Sequence, residues 1–380
     1  MTSPLQPRRR KLLRAGAASF AAASFAPAWA QPGRPTHPPV TIAQIFDASA
    51  AQQDVSKDFL IGSRAAWQDI NSRGGLRGRP VQHVSIEVDG SDGSIRAALA
   101  SIRDNPSCIC LSGTSGDPVA SRAAGLLREG GFAIAHVAPW LQNSSLPIDD
   151  RTFPIFAARQ EQITHALKSL TVMGIAELGA VYASSHEYSL YHDDMERVAA
   201  ALKLRLQAFR GEGELARLGQ GLTQSTPAIL LFVGGTPELV QFTQGLERQS
   251  RQRYVVALAD VNLQTLMQMG ASRNTPVIAT QAVPVVTASL PVVRAYRETL
   301  SRLFDEPPTP LSLAGFIAAR YTYEVLADAE GALTRASALA AFQRRAPLDI
   351  GGYRVAFNEQ RRSATYVTQS MLTADGRVVG

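Results

Sequence analysis

Apolar positions along this chain change their period at regular intervals. The run "VTIAQIF" (40–46) is short and continuous, as in a buried strand, and 56–71 then carries Phe59, Leu60, Trp67 and Ile70 at helical spacing. "VQHVSIEV" (81–88) alternates, with Val84, Ile86 and Val88 on one face, and returns as a strand. Helices over 93–103 and 119–129 alternate with strands at 108–113 and 132–137. The alternation then starts over. Helical patterns at 161–173, 191–202 and 239–249 are interleaved with strands at 178–183 and 228–234, followed by strands at 254–259 and 276–283. A helix pair, 291–304 and 313–327, precedes "GYRVAF" and "ATYVTQSML". Repeated βα order predicts an α/β fold: two Rossmann-like lobes, each a parallel sheet flanked by helices. Ligands of such sheets lie at the carboxyl ends of the strands. No low-complexity linker separates the halves, so the chain is expected to cross between them by short strands.

The amino terminus stands apart from this pattern. "RRRKLLR" (8–14) precedes a small, weakly apolar run that ends in Ala28-Trp29-Ala30. That order reads as an export signal over 1–30 with cleavage after Ala30, and Arg9-Arg10 fits the twin-arginine style. Its removal takes away five cations and no acid, which lowers the net charge from +6 to +1. The high isoelectric point therefore belongs to the signal, and a nucleic-acid footprint loses its support. Residues 31–380 are enough for two domains with substantial cores. Cys108 and Cys110, two apart on a strand, are expected on one face as buried reduced thiols, and no further ligands at recognisable spacing suggest a metal.

The joint "INSRGGLRGRPV" (70–81) places glycines and arginines between a helix and a strand. With "GSRAAWQDINSRGG" before it, "EVDGSDGSIRAA" (87–98), "LSGTSGDP" after the third strand, Tyr182 and Tyr188, and "TQAVP" (280–284), the chain resembles the type I periplasmic solute-binding proteins of ABC importers, particularly the branched-chain amino acid group. Gly62, Ala66, Ile70, Asn71, Gly74, Gly75, Leu76 and Gly78 occupy the positions of that family's segment between first helix and second strand, where the glycines end a helix and turn the chain. The resemblance implies two lobes joined by three crossovers, near 158, 282 and 346. Lobe I would comprise 38–158 plus 283–345, and lobe II 159–282 plus 346–380. A cleft between them would close on a small ligand.

Candidate contacts come from the strand ends and from the resemblance. Ser112, Thr114 and Ser115 lead into a helix, where hydroxyls and free N–H groups suit a carboxylate or serve as a capping turn. Ala138 and Trp140 lie in "APWLQ", where the resemblance implies a small residue and a threonine; Trp140 could stack on a ring-bearing ligand or pack between lobes. In the second lobe Tyr188 aligns with a tyrosine that closes over the ligand, Thr236 replaces an aromatic, and Asp260 lies within a residue of the acid that would receive an ammonium group, unless it caps a helix. "SSHEYSLYHDD" (184–194) reads as a solvated loop.

Neither G-x-S-x-G nor a phosphate-binding loop is present, so catalysis is not expected, nor is a cofactor or metal. The resemblance implies a periplasmic monomer that captures a small polar or carboxylate-bearing molecule, an amino acid or related organic acid, and hands it to an inner-membrane permease with its ATPase. The same fold could instead sense a ligand for a membrane receptor.

Overall fold

The computed structural model describes residues 38–271, 274–363, 366–373 and 377–380; the expected export signal lies outside them. From the amino end the elements are β1 (Val40–Asp47), α1 (Gln53–Ser72), β2 (Val81–Val88), α2 (Asp92–Asp104), β3 (Cys108–Ser112), α3 (Asp117–Glu129), β4 (Ala135–Val137) and β5 (Thr152–Phe153). The five strands form one parallel sheet in the order β2-β1-β3-β4-β5. Next come α4 (Arg159–Val172), β6 (Glu177–Tyr182), α5 (Ser185–Ala201), β7 (Arg205–Arg210), α6 (Leu215–Gly221), β8 (Ile229–Val233), α7 (Thr236–Leu246), β9 (Tyr254–Ala257), α8 (Leu263–Gln268) and β10 (Val277–Gln281). Finally α9 (Pro291–Leu303), α10 (Pro310–Ala327), α11 (Arg335–Gln343), β11 (Leu348–Ile350), β12 (Tyr353–Val355), β13 (Thr368–Leu372) and β14 (Val378–Val379) complete the chain.

The second sheet runs β14-β13-β10-β9-β8-β6-β7, parallel except where β13 and β14 add antiparallel at one edge. Each sheet is covered on both faces. In the first lobe α1, α9, α10 and α11 bury one face and α2 and α3 the other; in the second, α6, α7 and α8 oppose α4 and α5. Among the described residues no helix is long and apolar enough to cross a membrane.

The glycine joint closes α1 and turns the chain towards β2. Gly74, Gly75 and Gly78 have positive φ, and a Cβ on Gly75 would lie 2.1 Å from the Arg79 carbonyl oxygen. Asn71 then clamps the incoming strand: its Nδ2 donates to the Val81 carbonyl and its Oδ1 accepts from the Val81 N–H, both at 2.8 Å.

Three expectations need correction. Cys108 and Cys110, both free and buried, join different cores, because β3 bulges against β1: Thr41 faces Cys108 and Ile42 faces Cys110, leaving Ile109 as an extra residue. The third crossover falls later than 346, since Ile350, Tyr353 and Val355 of the β11–β12 ribbon pack in the first core and Tyr353 donates to the Ile155 carbonyl at 2.7 Å. The loop expected at 184–194 is helix from Ser185, because the Ser184 hydroxyl accepts from the His186 and Glu187 N–H groups and caps α5.

Candidate functional site

The carboxyl ends of both sheets meet, and the residues there are polar yet buried. After β3 the chain turns through Gly113 and Gly116, both at positive φ; a Cβ on Gly116 would sit 2.7 Å from that of Asp47. This holds Ser115 against β1, with Ser115 N–H donating to Ile45 at 3.0 Å and Asp47 N–H donating to Ser115 at 3.2 Å. The Ser115 hydroxyl donates to Ser56 at 3.3 Å. Thr114 shares a 2.9 Å hydrogen bond with His136 Nε2, and its carbonyl accepts from the Trp140 N–H at 2.8 Å. Burial pulls His136 down to about 4, so this imidazole stays neutral at pH 7. Ser112 is not part of the meeting: its hydroxyl bonds Thr322 of α10 at 2.7 Å inside the first core.

The segment after β4 carries local strain. Ala138 has φ of 47°, a left-handed conformation that costs a non-glycine residue of order 1 kcal/mol. Asp117 at the start of α3 accepts from the N–H groups of Gln142 (2.7 Å) and Asn143 (2.9 Å), which fixes the far end of the segment. Between these points Trp140 is 1% exposed and meets Phe59 edge-on and Phe156 at a tilt. Its Nε1 donates to Asp260 Oδ1 at 2.8 Å.

Asp260 follows β9, so this bond joins the two lobes. Its other oxygen accepts from Arg159 Nη2 at the first crossover, and the pair is a buried ion pair. Burial would lower Arg159, but Asp260, Tyr191 and Asp117 outweigh it and hold the guanidinium well above its ordinary value. Asp117 is shifted upward, by burial first, with Arg159 opposing. Asp260 does not cap a helix: Asn262 caps α8, accepting from Gln264 and Thr265. Asn262 also crosses between lobes, donating from Nδ2 to Asp58 Oδ2 at 2.8 Å, while its N–H donates to Thr236 Oγ1 at 3.0 Å. A small polar cavity of about 90 Å³ beside Asp58 and Asn262 is roomy enough for water.

The structure thus brings Thr114, Ser115, Ala138, Trp140, Thr236 and Asp260 to the junction of the lobes, and leaves Ser112 and Tyr188 outside that hydrogen-bonded set. Tyr188 stacks on His192 at 4.3 Å and lies under Arg210, whose Cζ is 3.5 Å from the ring centroid. The tyrosine that reaches the ion pair is Tyr191, one turn on: Arg159 lies 4.8 Å over its ring, and its buried hydroxyl has no partner. Arg159, Tyr191 and Asp117 were not legible as site residues. The three-residue spacing of Tyr188 and Tyr191 would have flagged one helix face, once the Ser184 cap is recognised. Among the described residues no cluster of three or more His, Cys, Asp or Glu is placed to hold a metal.

A family model described as periplasmic binding protein matches residues 39–372. Among solved structures, an extracellular ligand-binding receptor from Verminephrobacter eiseniae is 18% identical, with 90% of this chain and 99% of that one covered and a TM-score of 0.80. The branched-chain amino acid transporter substrate-binding protein LivJ of Streptococcus pneumoniae, in complex with isoleucine, is 12% identical over 89% of this chain and 97% of that one, TM-score 0.75. A fatty acid ABC transporter substrate-binding protein from Thermomonospora curvata is 14% identical over 89% of each chain, TM-score 0.75. At such identities the likeness is one of fold. Among curated proteins, none matches this sequence.

Proposed function

The chain belongs to the periplasmic binding protein family, and on that ground we propose that it is the extracytoplasmic solute-binding component of an ABC importer, which captures a small polar or carboxylate-bearing molecule between its lobes and delivers it to a membrane permease and its ATPase. The observation that carries the reading is the polar junction in which Trp140 of one lobe and Asp260 of the other bond directly, beside Arg159 at the crossover. Groups from both lobes that converge on one point give a ligand the means to favour the closed arrangement.

The same junction bears on the ligand class. Each carboxylate oxygen of Asp260 already accepts a hydrogen bond and Arg159 neutralises its charge, which weakens its pull on an ammonium group. Arg159 is the cation at the junction, and a carboxylate is what it can receive. Organic acids without an amino group are therefore favoured, with Thr114, Ser115 and Trp140 shaping the first-lobe side and Thr236 and Tyr191 the second. The neighbours whose ligands are isoleucine and fatty acid bracket this choice.

Thermal unfolding of the purified protein with matched acids, with and without an α-amino group, tests it. A bound acid at about a thousand times its Kd adds roughly 4 kcal/mol, several degrees in Tm. The expected result is stabilisation by amino-free acids that Trp140→Ala removes. Stabilisation by amino acids alone would overturn the ligand class, and stabilisation untouched by Trp140→Ala would overturn the site.

A further inference from the structure

A groove of about 920 Å³ lies beside the junction and shares none of its residues. Three segments build its walls: 144–148 of the first lobe, the face of α4 bearing Gln160, Glu161 and Lys168 in the second, and 358–362 on the third crossover. Gln160 N–H donates to Ser144 Oγ at 2.8 Å and ties two of these together.

Glu161, Lys168, Glu359, Arg361 and Arg362 line this groove, and two of opposite charge, Arg362 and Glu161, each have one buried atom unsatisfied. Arg362 is 6% exposed. Its Nη2 donates to the carbonyls of Asn143 (2.7 Å) and Leu146 (3.1 Å), which fixes the guanidinium, while Nη1 is buried and has no partner. Glu161 Oε2 is likewise buried without a partner. The two feel one another, since burial lowers Arg362 and Glu161 is the largest influence opposing that fall, yet they form no ion pair. A buried donor on a cation and a buried acceptor on an anion, both unmet, are costly to leave so. Water can meet each singly, but one molecule bearing both charges meets them together.

We propose that this groove is a second binding site, for a small molecule that carries a carboxylate and an ammonium group, with Arg362 receiving the carboxylate and Glu161 the ammonium. The site spans first lobe, second lobe and crossover, so its occupancy biases the hinge. It also reaches the junction covalently: the segment whose carbonyls hold Arg362 is the one whose Gln142 and Asn143 N–H groups bind Asp117. Binding at either site is thereby linked to the other.

Calorimetric titration of the whole protein with glycine, β-alanine and γ-aminobutyrate tests the proposal, with butyrate and butylamine as single-charge controls. At least one of the zwitterions binds, and each control binds weaker by roughly tenfold to a hundredfold, the worth of one charge-assisted hydrogen bond. Glu161→Gln and Arg362→Gln each cause a loss of the same size, whereas Trp140→Ala still binds, its affinity changed only through the linkage between the sites. Arg362→Gln also removes two bonds of the fold, so Glu161→Gln, whose Oε2 supports nothing in the fold, is the deciding variant. The proposal falls if no zwitterion binds, if Glu161→Gln binds like the parent, or if Trp140→Ala abolishes binding, which would place the molecule at the junction.

Discussion

Asp260 is gripped from two directions, by Trp140 and by Arg159. Removing it strands a guanidinium that is 7% exposed. Asp260→Ala is therefore expected to cost about 3–5 kcal/mol in urea unfolding, whereas Asp260→Asn keeps an acceptor and costs less; equal losses would mean that the charge is not what matters. Histidines set the acid limit of stability. Burial takes His136, and burial with Arg64 takes His83, down to about 4 from 6.5, so the unfolded chain protonates first and stability declines as pH falls from 6.5 towards 4. Asp58, raised by burial to about 6, and Asp54 and Asp117, also raised by burial, act in the opposite sense at lower pH, so a histidine variant is needed to isolate the imidazole share. Between pH 6.5 and 4 the urea midpoint of the parent should fall relative to that of His136→Gln; parallel curves would contradict the assignment. Thr114 and Ser115 were marked as candidate contacts by their place at a strand end, and Trp140 and Asp260 by the resemblance. Arg159 was not, since a lone arginine in "AARQEQ" carries no pattern until long-range packing places it.

At the scale of elements, α1 crosses α10 at contact distance because each supplies a glycine. A Cβ on Gly62 would lie 1.7 Å from the Ser312 carbonyl oxygen, and one on Gly315 1.9 Å from that of Phe59. Backbone cannot yield as a side chain can, so Gly62→Ala should separate the helices and cost more than the ~1–3 kcal/mol of ordinary overpacking. Thermal unfolding would show it, and a near-neutral change would mean that the helices slide freely. The sequence marked Gly62 by resemblance alone, without this reason. Periodicity found the longer buried strands and missed β5, buried but only two residues long, and β7, whose edge position leaves most of it exposed. It misjudged the start of α5 because polar residues crowd its first turn, although Ser184 with Glu187 three residues on is a capping pattern. The bulge in β3 left no mark in the sequence, because register is set by the partner strand.

For the whole molecule, the two-lobed α/β architecture was legible in the repeated βα order, while the point where the last crossing occurs depended on a two-stranded ribbon whose side chains look as suited to one core as to the other. Ligand-dependent closure about these crossings is the central claim. Spin labels on Arg103 of the first lobe and Arg205 of the second, both with well-exposed side chains, report the distance between lobes. On addition of an amino-free carboxylate found by thermal shift, the distance distribution should narrow to a single shorter peak, and Trp140→Ala should keep it broad. Identical distributions with and without that ligand would contradict closure as the way this protein works.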